Sequence, residues 1–398
     1  MFRNLIIGLF LFGFAIQIQA QSGKNPPGTK PFDREIEFNF LSSYYEQDGN
    51  NAAVTGGIGT EQLSNFANVI ILNVPIDSTQ KVSLYGGADY YSSASTDNID
   101  NNRSSASSSD VRGFGILSYT KLNLAKGETY TYKIGFSGEY DVLSFNGGFS
   151  FTKDWNEANT SLTMASQAYY DQWQLIYPIE LRRSVNLGNS ARQSYNGSLT
   201  FSQVLGKRAQ MSLSGEVVYM NGLLSTPFHR VYFADRPGAD IERLPTSRIK
   251  FPLSARLNIF PFDPLVLRTY YRFYQDDWGI TAHTAEIEMP VKVSKSLTMT
   301  PFYRYHTQTG ADYFAAYQTH LSTETFYTSD YDLSDLNSQM MGMGIKYYPV
   351  YGLARSKPFL KSKRVFMMKY IELRLGYYQR STGLNGMIGS VNLGFGIK

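Results

Sequence analysis

The sequence predicts an all-β fold, an antiparallel transmembrane β-barrel of about 16 strands, with about 14 to 18 compatible with the same pattern. Three observations carry this. First, residues 248–308 read as four consecutive strands in which apolar side chains alternate with polar ones. A period of two marks a strand whose faces meet different surroundings. Second, no stretch beyond residue 20 holds about 18 consecutive apolar residues, and mean hydropathy is −0.27. That excludes a membrane helix in this part but not a barrel, whose alternation is invisible to averaged hydropathy. Third, the chain has 30 Tyr, 26 Phe and 34 Gly against 3 Trp. Tyr and Phe favour strands, and Tyr suits a membrane interface, where one end of its ring is apolar and the other wet.

The chain opens with Arg3, an apolar run over residues 5–16 and a small residue, Ala20. This is the pattern of a cleavable signal peptide over residues 1–20, cut between Ala20 and Gln21. Residues 21–34 read as a periplasmic lead-in that Pro26, Pro27 and Pro31 keep out of a sheet. Residues 35–398 read as one barrel. The absence of cysteine rules out disulfides, thiolate metal sites and cysteine nucleophiles. A net charge of +4 is too weak for a nucleic-acid partner.

The first strand is expected over residues 35–46, with Ile36, Phe38, Phe40 and Tyr44 opposite Glu35, Glu37 and Asn39. Others follow at 65–76, 80–91, 113–124, 129–138, 141–155, 160–171, 195–205 and 209–220. After the central block come 338–348, 365–380 and 385–398. Connections mostly alternate short and long, as when periplasmic turns are short and outer loops long. Residues 92–110 are polar and low in complexity, and residues 172–194 carry Trp173, Arg182, Arg183 and Arg192. Residues 350–364 break the alternation: they fall on the short-turn side, yet are long, with five basic residues and no acidic one. They are either a solvated turn or a contact with anionic headgroups.

In the central block, Phe251, Leu253, Leu257, Leu267, Tyr271, Ile287, Met299 and Tyr303 fall on the lipid-facing side. The inward side carries Arg248, Lys250, Arg256, Arg268, Arg272, Glu286, Glu288 and Arg304, joined from later strands by Lys346, Glu372 and Arg374. This predicts a lumen charge cluster. Facing charges of opposite sign on adjacent strands contribute roughly 0.2–1 kcal/mol each. The cluster serves either as a structural ion-pair lattice or as a constriction that selects anions and steers a solute.

The stretches FHRVYF, RLP, RLNIF, VLRTYYRFYQDDWGI, AHTAEIE, PFYRYHTQTGADYF and YTSDYDLS lie between residues 228 and 334. In them the chain resembles DUF3570, a family of uncharacterised bacterial proteins, and the resemblance extends more weakly over the rest. It implies a secreted, β-rich outer-membrane protein and no known activity. It also implies partners in periplasmic redox chemistry, and it assigns no residue.

Outer-loop candidates are His229, Arg230, Asp235 and Arg236 in an aromatic and Arg-rich loop, which either packs into the barrel mouth or binds a partner. Asp276, Asp277 and Trp278 read as a tight outer hairpin with Trp278 at the membrane interface. Asp330, Asp332 and Asp335 resemble a calcium loop superficially, but the glycine and the closing glutamate are missing, so a solvated loop is expected. Of the histidines, His283 is expected to face lipid, His306 the lumen, and His229 and His320 the outer loops. No catalytic, metal or cofactor site is expected, and an outer-membrane hydrolase ranks last. The leading expectation is a porin-like or solute-transport channel, partly occluded by an Arg/Glu/Tyr lumen and long loops. The alternative is a non-conducting barrel that anchors a partner, such as a surface lipoprotein or a periplasmic redox protein. Either would sit in the outer membrane of a Gram-negative bacterium, in contact with its lipid. The sequence is silent on oligomeric state.

Overall fold

The computed structural model describes residues 29–92, 109–182, 188–356 and 365–397. The signal peptide, lead-in residues 21–28, most of the low-complexity segment, Arg183 and basic residues 357–364 lie outside that range.

The described chain is a closed antiparallel barrel of 16 strands. They are β1 (Ile36–Asp48), β2 (Leu63–Pro75), β3 (Gln80–Ser92), β4 (Ser109–Asn123), β5 (Glu128–Gly138), β6 (Val142–Trp155), β7 (Thr160–Gln174), β8 (Asn189–Gly206) and β9 (Ala209–Gly222). Then follow β10 (Ser247–Phe262), β11 (Leu265–Asp276), β12 (Thr281–Glu288, resumed at Val291–Lys292), β13 (Leu297–Gln308), β14 (Leu336–Tyr347), β15 (Phe366–Arg380) and β16 (Asn385–Ile397). Each strand pairs with the next, and β1 closes on β16 from Ile36↔Ile397 to Asp48↔Asn385. Closure leaves no unpaired edge, which a sheet in lipid requires. The break in β12 falls at Pro290, which has no N–H for the ladder.

The outer face is apolar. Ile134, Leu375 and Met387 are 66, 69 and 65% exposed. In a water-soluble sheet such side chains would be covered; here they form the lipid-facing belt. Aromatic rows at one level, Tyr44↔Phe66↔Tyr90, Phe136↔Phe145↔Tyr170 and Tyr195↔Tyr219, make a girdle toward one rim.

At the other rim lie the chain ends and the tight turns. Asp77 Oδ1 accepts the backbone N–H groups of Thr79 and Gln80 and so shapes the β2–β3 turn. The long β14–β15 link is on this rim, as expected, and Ala354–Ser356 pairs back onto β15. The girdle rim carries the long loops, but three of its connections (139–141, 277–280 and 381–384) are as short as the turns opposite. The alternation of lengths therefore holds only in part.

Candidate functional site

The inward rows differ from one wall to the other. Directly opposed residues share a face. The register therefore sets Ser254, Ser214, Thr200, Thr163, Thr152 and Thr129 in one continuous hydroxyl row from β10 round to β5. Within it Thr200 and Ser214 are hydrogen-bonded at 2.8 Å, and Thr152 and Thr163 also at 2.8 Å.

The wall from β10 to β15 carries the charge cluster expected from the sequence, while the hydroxyl-rich wall holds Lys133, Glu216 and the pair Arg192–Asp171. Arg268 meets Glu288 at 2.6 Å, Arg304 meets Glu286 at 2.6 Å and Lys346 meets Glu372 at 3.5 Å. Glu288 also takes Arg374 at 2.9 Å. Glu288 stands on β12 and Arg374 on β15, so this contact skips two strands. Neighbouring strands lie about 4.8 Å apart, and such a chord must run through the interior. This identifies the face as the lumen. Phe302 fills the chord beneath Arg374, whose guanidinium lies 4.9 Å from the ring centre. Gly342 makes room for that ring: a Cβ there would meet Phe302 at 2.4 Å and the Leu375 carbonyl oxygen at 2.2 Å.

Arg248 is drawn toward the girdle rim and pairs with buried Asp276 at 2.5 Å. Lys250, Arg256 and Arg272 have no carboxylate partner among the described residues. Arg256 and Arg272 lie over Tyr270 and Tyr274 instead, 5.3 and 5.7 Å from the ring centres. The eleven charged positions singled out from the sequence comprise eight basic and three acidic residues, and Asp276 on β11 adds a fourth acid, leaving an excess of four positive charges. Arg256, Arg268, Tyr270, Glu286 and Glu288 line a recess of about 310 Å³ on this wall.

Above the lumen the outer loops form a cap with a core of its own. Residues 223–246 contribute a small hairpin, Arg230–Tyr232 against Ala239–Ile241, and residues 309–335 pack on it through bridges Phe233↔His320 and Arg243↔Tyr327. Val231, Phe233 and Tyr327 are buried together, beside fully buried His320 and Thr328. Arg230, also buried, donates to Glu180 Oε1 at 2.5 Å and to the Val54 carbonyl oxygen at 2.5 Å. Val54 lies between β1 and β2, while Arg230 follows β9. In a ring of 16 those strands stand on opposite sides. The cap therefore crosses the mouth. It is tied to the lumen wall by Asp332, which pairs with Arg380 of β15 at 2.5 Å.

One cluster in the cap has the composition of a ligand set. His229 Nδ1 lies 3.4 Å from Glu242 Oε1 and 3.9 Å from Asp330 Oδ2, and the three ligand atoms fall within 4.8 Å of one another. Burial alone would push the imidazolium pKa down, but the Glu242 carboxylate, with Asp330 and Asp332, outweighs it and holds His229 above its ordinary 6.5. Burial would raise Glu242, but His229, the Thr226 N–H and the Thr328 hydroxyl hold it below the usual range. Burial and the nearby Asp332 charge push Asp330 up to about 6, against the pull of His229.

The sequence-selected loop residues all take part in the cap or its border. Asp235 accepts from the N–H and hydroxyl of Ser322, joining the two long loops. Arg236 pairs with Asp240 and lies over Phe233. Asp277 accepts from the Ile249 N–H, and Asp335 is exposed. The aromatic loop packs across the mouth. One expectation is corrected. Trp278 is not at the membrane interface but 3% exposed, beneath Arg248 at 4.2 Å and edge-on to Tyr313. Its Nε1–H donates to the Ser247 carbonyl oxygen, and Asp276 Oδ1 accepts the Trp278 and Ile280 N–H groups, turning the hairpin inward. The expected solvated character of the Asp330 run is also corrected: Asp330 caps the short helix Tyr331–Leu333 and faces His229. Glu242 was missed. No strand period marks it: its partners His229 and Thr328 lie 13 and 86 residues away in irregular loops.

Comparison with known proteins gives one family and several folds. A family model described as "Protein of unknown function (DUF3570)" matches residues 109–398. No curated protein matches. Among solved structures, the ferric enterobactin receptor PfeA of Pseudomonas aeruginosa is similar at TM-score 0.44 and 13% identity, over 88% of this chain and 54% of the receptor. This chain thus spans about half the receptor's length. The outer membrane protein opdK of Pseudomonas aeruginosa is similar at TM-score 0.39 and 9% identity, over 91% of this chain and 99% of opdK. CdiB of Acinetobacter baumannii is similar at TM-score 0.45 and 10% identity, over 91% of this chain and 60% of CdiB.

Proposed function

The chain belongs to the DUF3570 family, and from its lumen we propose that it is a solute channel of the Gram-negative outer membrane with a preference for small anions. The observation that carries this reading is the asymmetry of the interior: a hydroxyl-rich wall, on which the inward charges Lys133, Asp171, Arg192 and Glu216 cancel, faces a wall where the eleven charges with Asp276 leave an excess of four positive charges. A lumen filled only for stability would balance its charges, because an uncompensated charge away from water is costly. A surplus of cations is tolerated where water and mobile anions reach them. Three of these cations, Lys250, Arg256 and Arg272, lack carboxylates and are free to meet a passing anion.

The cap supports a second reading. Because it crosses the mouth, the barrel can equally serve as a closed platform that holds a lipoprotein or a periplasmic redox partner. Single-channel recording of refolded protein in a planar bilayer under a salt gradient separates the two. Discrete steps with an anion-selective reversal potential are expected. A folded barrel, shown by heat-dependent gel migration, that carries no current would end the channel reading in favour of the platform.

A further inference from the structure

We propose that His229, Glu242 and Asp330 form a binding site for a first-row divalent cation of the zinc or manganese kind, which pins residues 223–246 to residues 309–335 across the mouth of the barrel. The donors are one imidazole nitrogen and two carboxylate oxygens, drawn from both long loops and converging within 4.8 Å. Imidazole suits zinc and other first-row ions and disfavours calcium and magnesium, which prefer all-oxygen shells.

The surroundings separate this cluster from an ordinary ion pair. Each carboxylate has one oxygen tethered by backbone and one directed at the cluster. Glu242 Oε2 accepts the Thr226 N–H at 2.6 Å, leaving Oε1 toward His229. Asp330 Oδ1 accepts the Asp332 N–H at 2.9 Å, leaving Oδ2 toward His229 with no hydrogen-bond donor on it among the described residues. Thr328, fully buried, sets both: its hydroxyl donates to Glu242 Oε1 at 2.5 Å and accepts the Asp330 N–H at 3.0 Å. Such hydrogen bonds orient metal ligands in known sites. A histidine paired for stability needs one carboxylate; here a second is brought to the same point. The His229 and Asp330 side chains remain 15 and 25% exposed, so an ion has a path from outside and solvent can complete its coordination.

The test uses full-length mature protein, refolded in detergent and stripped with chelator. Zn²⁺ or Mn²⁺ is titrated in by calorimetry, and Co²⁺ is followed by its visible spectrum. One equivalent is expected to bind. Asp330→Asn and His229→Gln should each weaken binding at least tenfold, Thr328→Val by about 10–100-fold, and Asp263→Asn, in a turn at the opposite rim, not at all. Chelation should also speed protease cleavage in the two loops of the wild type. Wild-type affinity in Asp330→Asn, or no stoichiometric binding by wild type, would overturn the proposal. Should a variant lose its heat-dependent gel shift, the wild-type cobalt spectrum decides: an unchanged spectrum rejects the site, and nitrogen–oxygen bands at one equivalent uphold it.

Discussion

Replacing Phe233 by Ala should open the cap and leave the barrel intact. The ring is 3% exposed, edge-on to Tyr327 at 5.0 Å and covered by the Arg236 guanidinium at 4.3 Å. Truncating a buried Phe costs about 3–5 kcal/mol, the lost burial plus the cavity left behind. At about 1.4 kcal/mol per tenfold, the equilibrium between closed and open cap should shift toward open by two to nearly four orders of magnitude. The named contacts of the ring lie within the cap, so the temperature at which the gel shift disappears should stay at the wild-type value. The assay is single-channel recording of both proteins in one lipid, with amide exchange of residues 223–246 and 309–335 measured in parallel. The mutant should spend far longer in its largest conductance state, and exchange in both loops should rise together. Faster exchange with unchanged current would show that the cap does not gate the lumen. Unchanged exchange would show that the cap has no cooperative core, and the reasoning from burial would fail.

Other outcomes follow from the same contacts. Arg256→Glu combined with Arg272→Glu removes two cations without orphaning a carboxylate, so anion preference should fall or reverse in the reversal potential while the gel shift is kept. Glu288→Gln should raise anion preference; its partners Arg268 and Arg374 are well exposed, so the stability cost should be only about 0.2–1 kcal/mol per pair, read from denaturant unfolding. Gly342→Ala drives a Cβ into Phe302 and the Leu375 carbonyl oxygen and should cost about 1–3 kcal/mol, seen as a lower temperature for loss of the gel shift. Hydrogen bonds from the Ser322 hydroxyl and N–H depress the pKa of Asp235 below its ordinary 3.8. Its support for the cap is therefore full above that value and lost as pH falls through the depressed one. Protease cleavage near Ser322 should rise only in strong acid, and Asp235→Asn should show the fast rate already at neutral pH.

The barrel was legible because lipid and lumen impose opposite demands on successive side chains, which Leu253, Ser254, Ala255 and Arg256 obey in order. Each of the 16 strands has an expected counterpart, displaced by a few residues at its ends. Adjacent-strand pairs such as Arg304–Glu286 were legible for the same reason. The Arg374–Glu288 chord was not, because it depends on curvature rather than on neighbouring register. The cap was legible only as composition. Its contacts join residues such as Arg230 and Val54, 176 positions apart, with no periodicity to announce them. Trp278 was misplaced because an aromatic at a strand end reads equally well as an interface anchor or as a plug; only Arg248 and Tyr313 decide between them.

That same diametric tie between Arg230 and Val54 orders the birth of the molecule. The tie can form only when the sheet from β1 to β10 has curved far enough to bring its two ends across the mouth. A contact 176 residues apart in sequence is expected to form after the local hairpins. The cap is thus expected to assemble after the hairpins that carry it, and a strand slipped between β2 and β9 would carry its anchors to the wrong height and leave Val231 and Phe233 bare. Register errors in the barrel would therefore be read out as an exposed cap core, which limited proteolysis of residues 223–246 and 309–335 would detect.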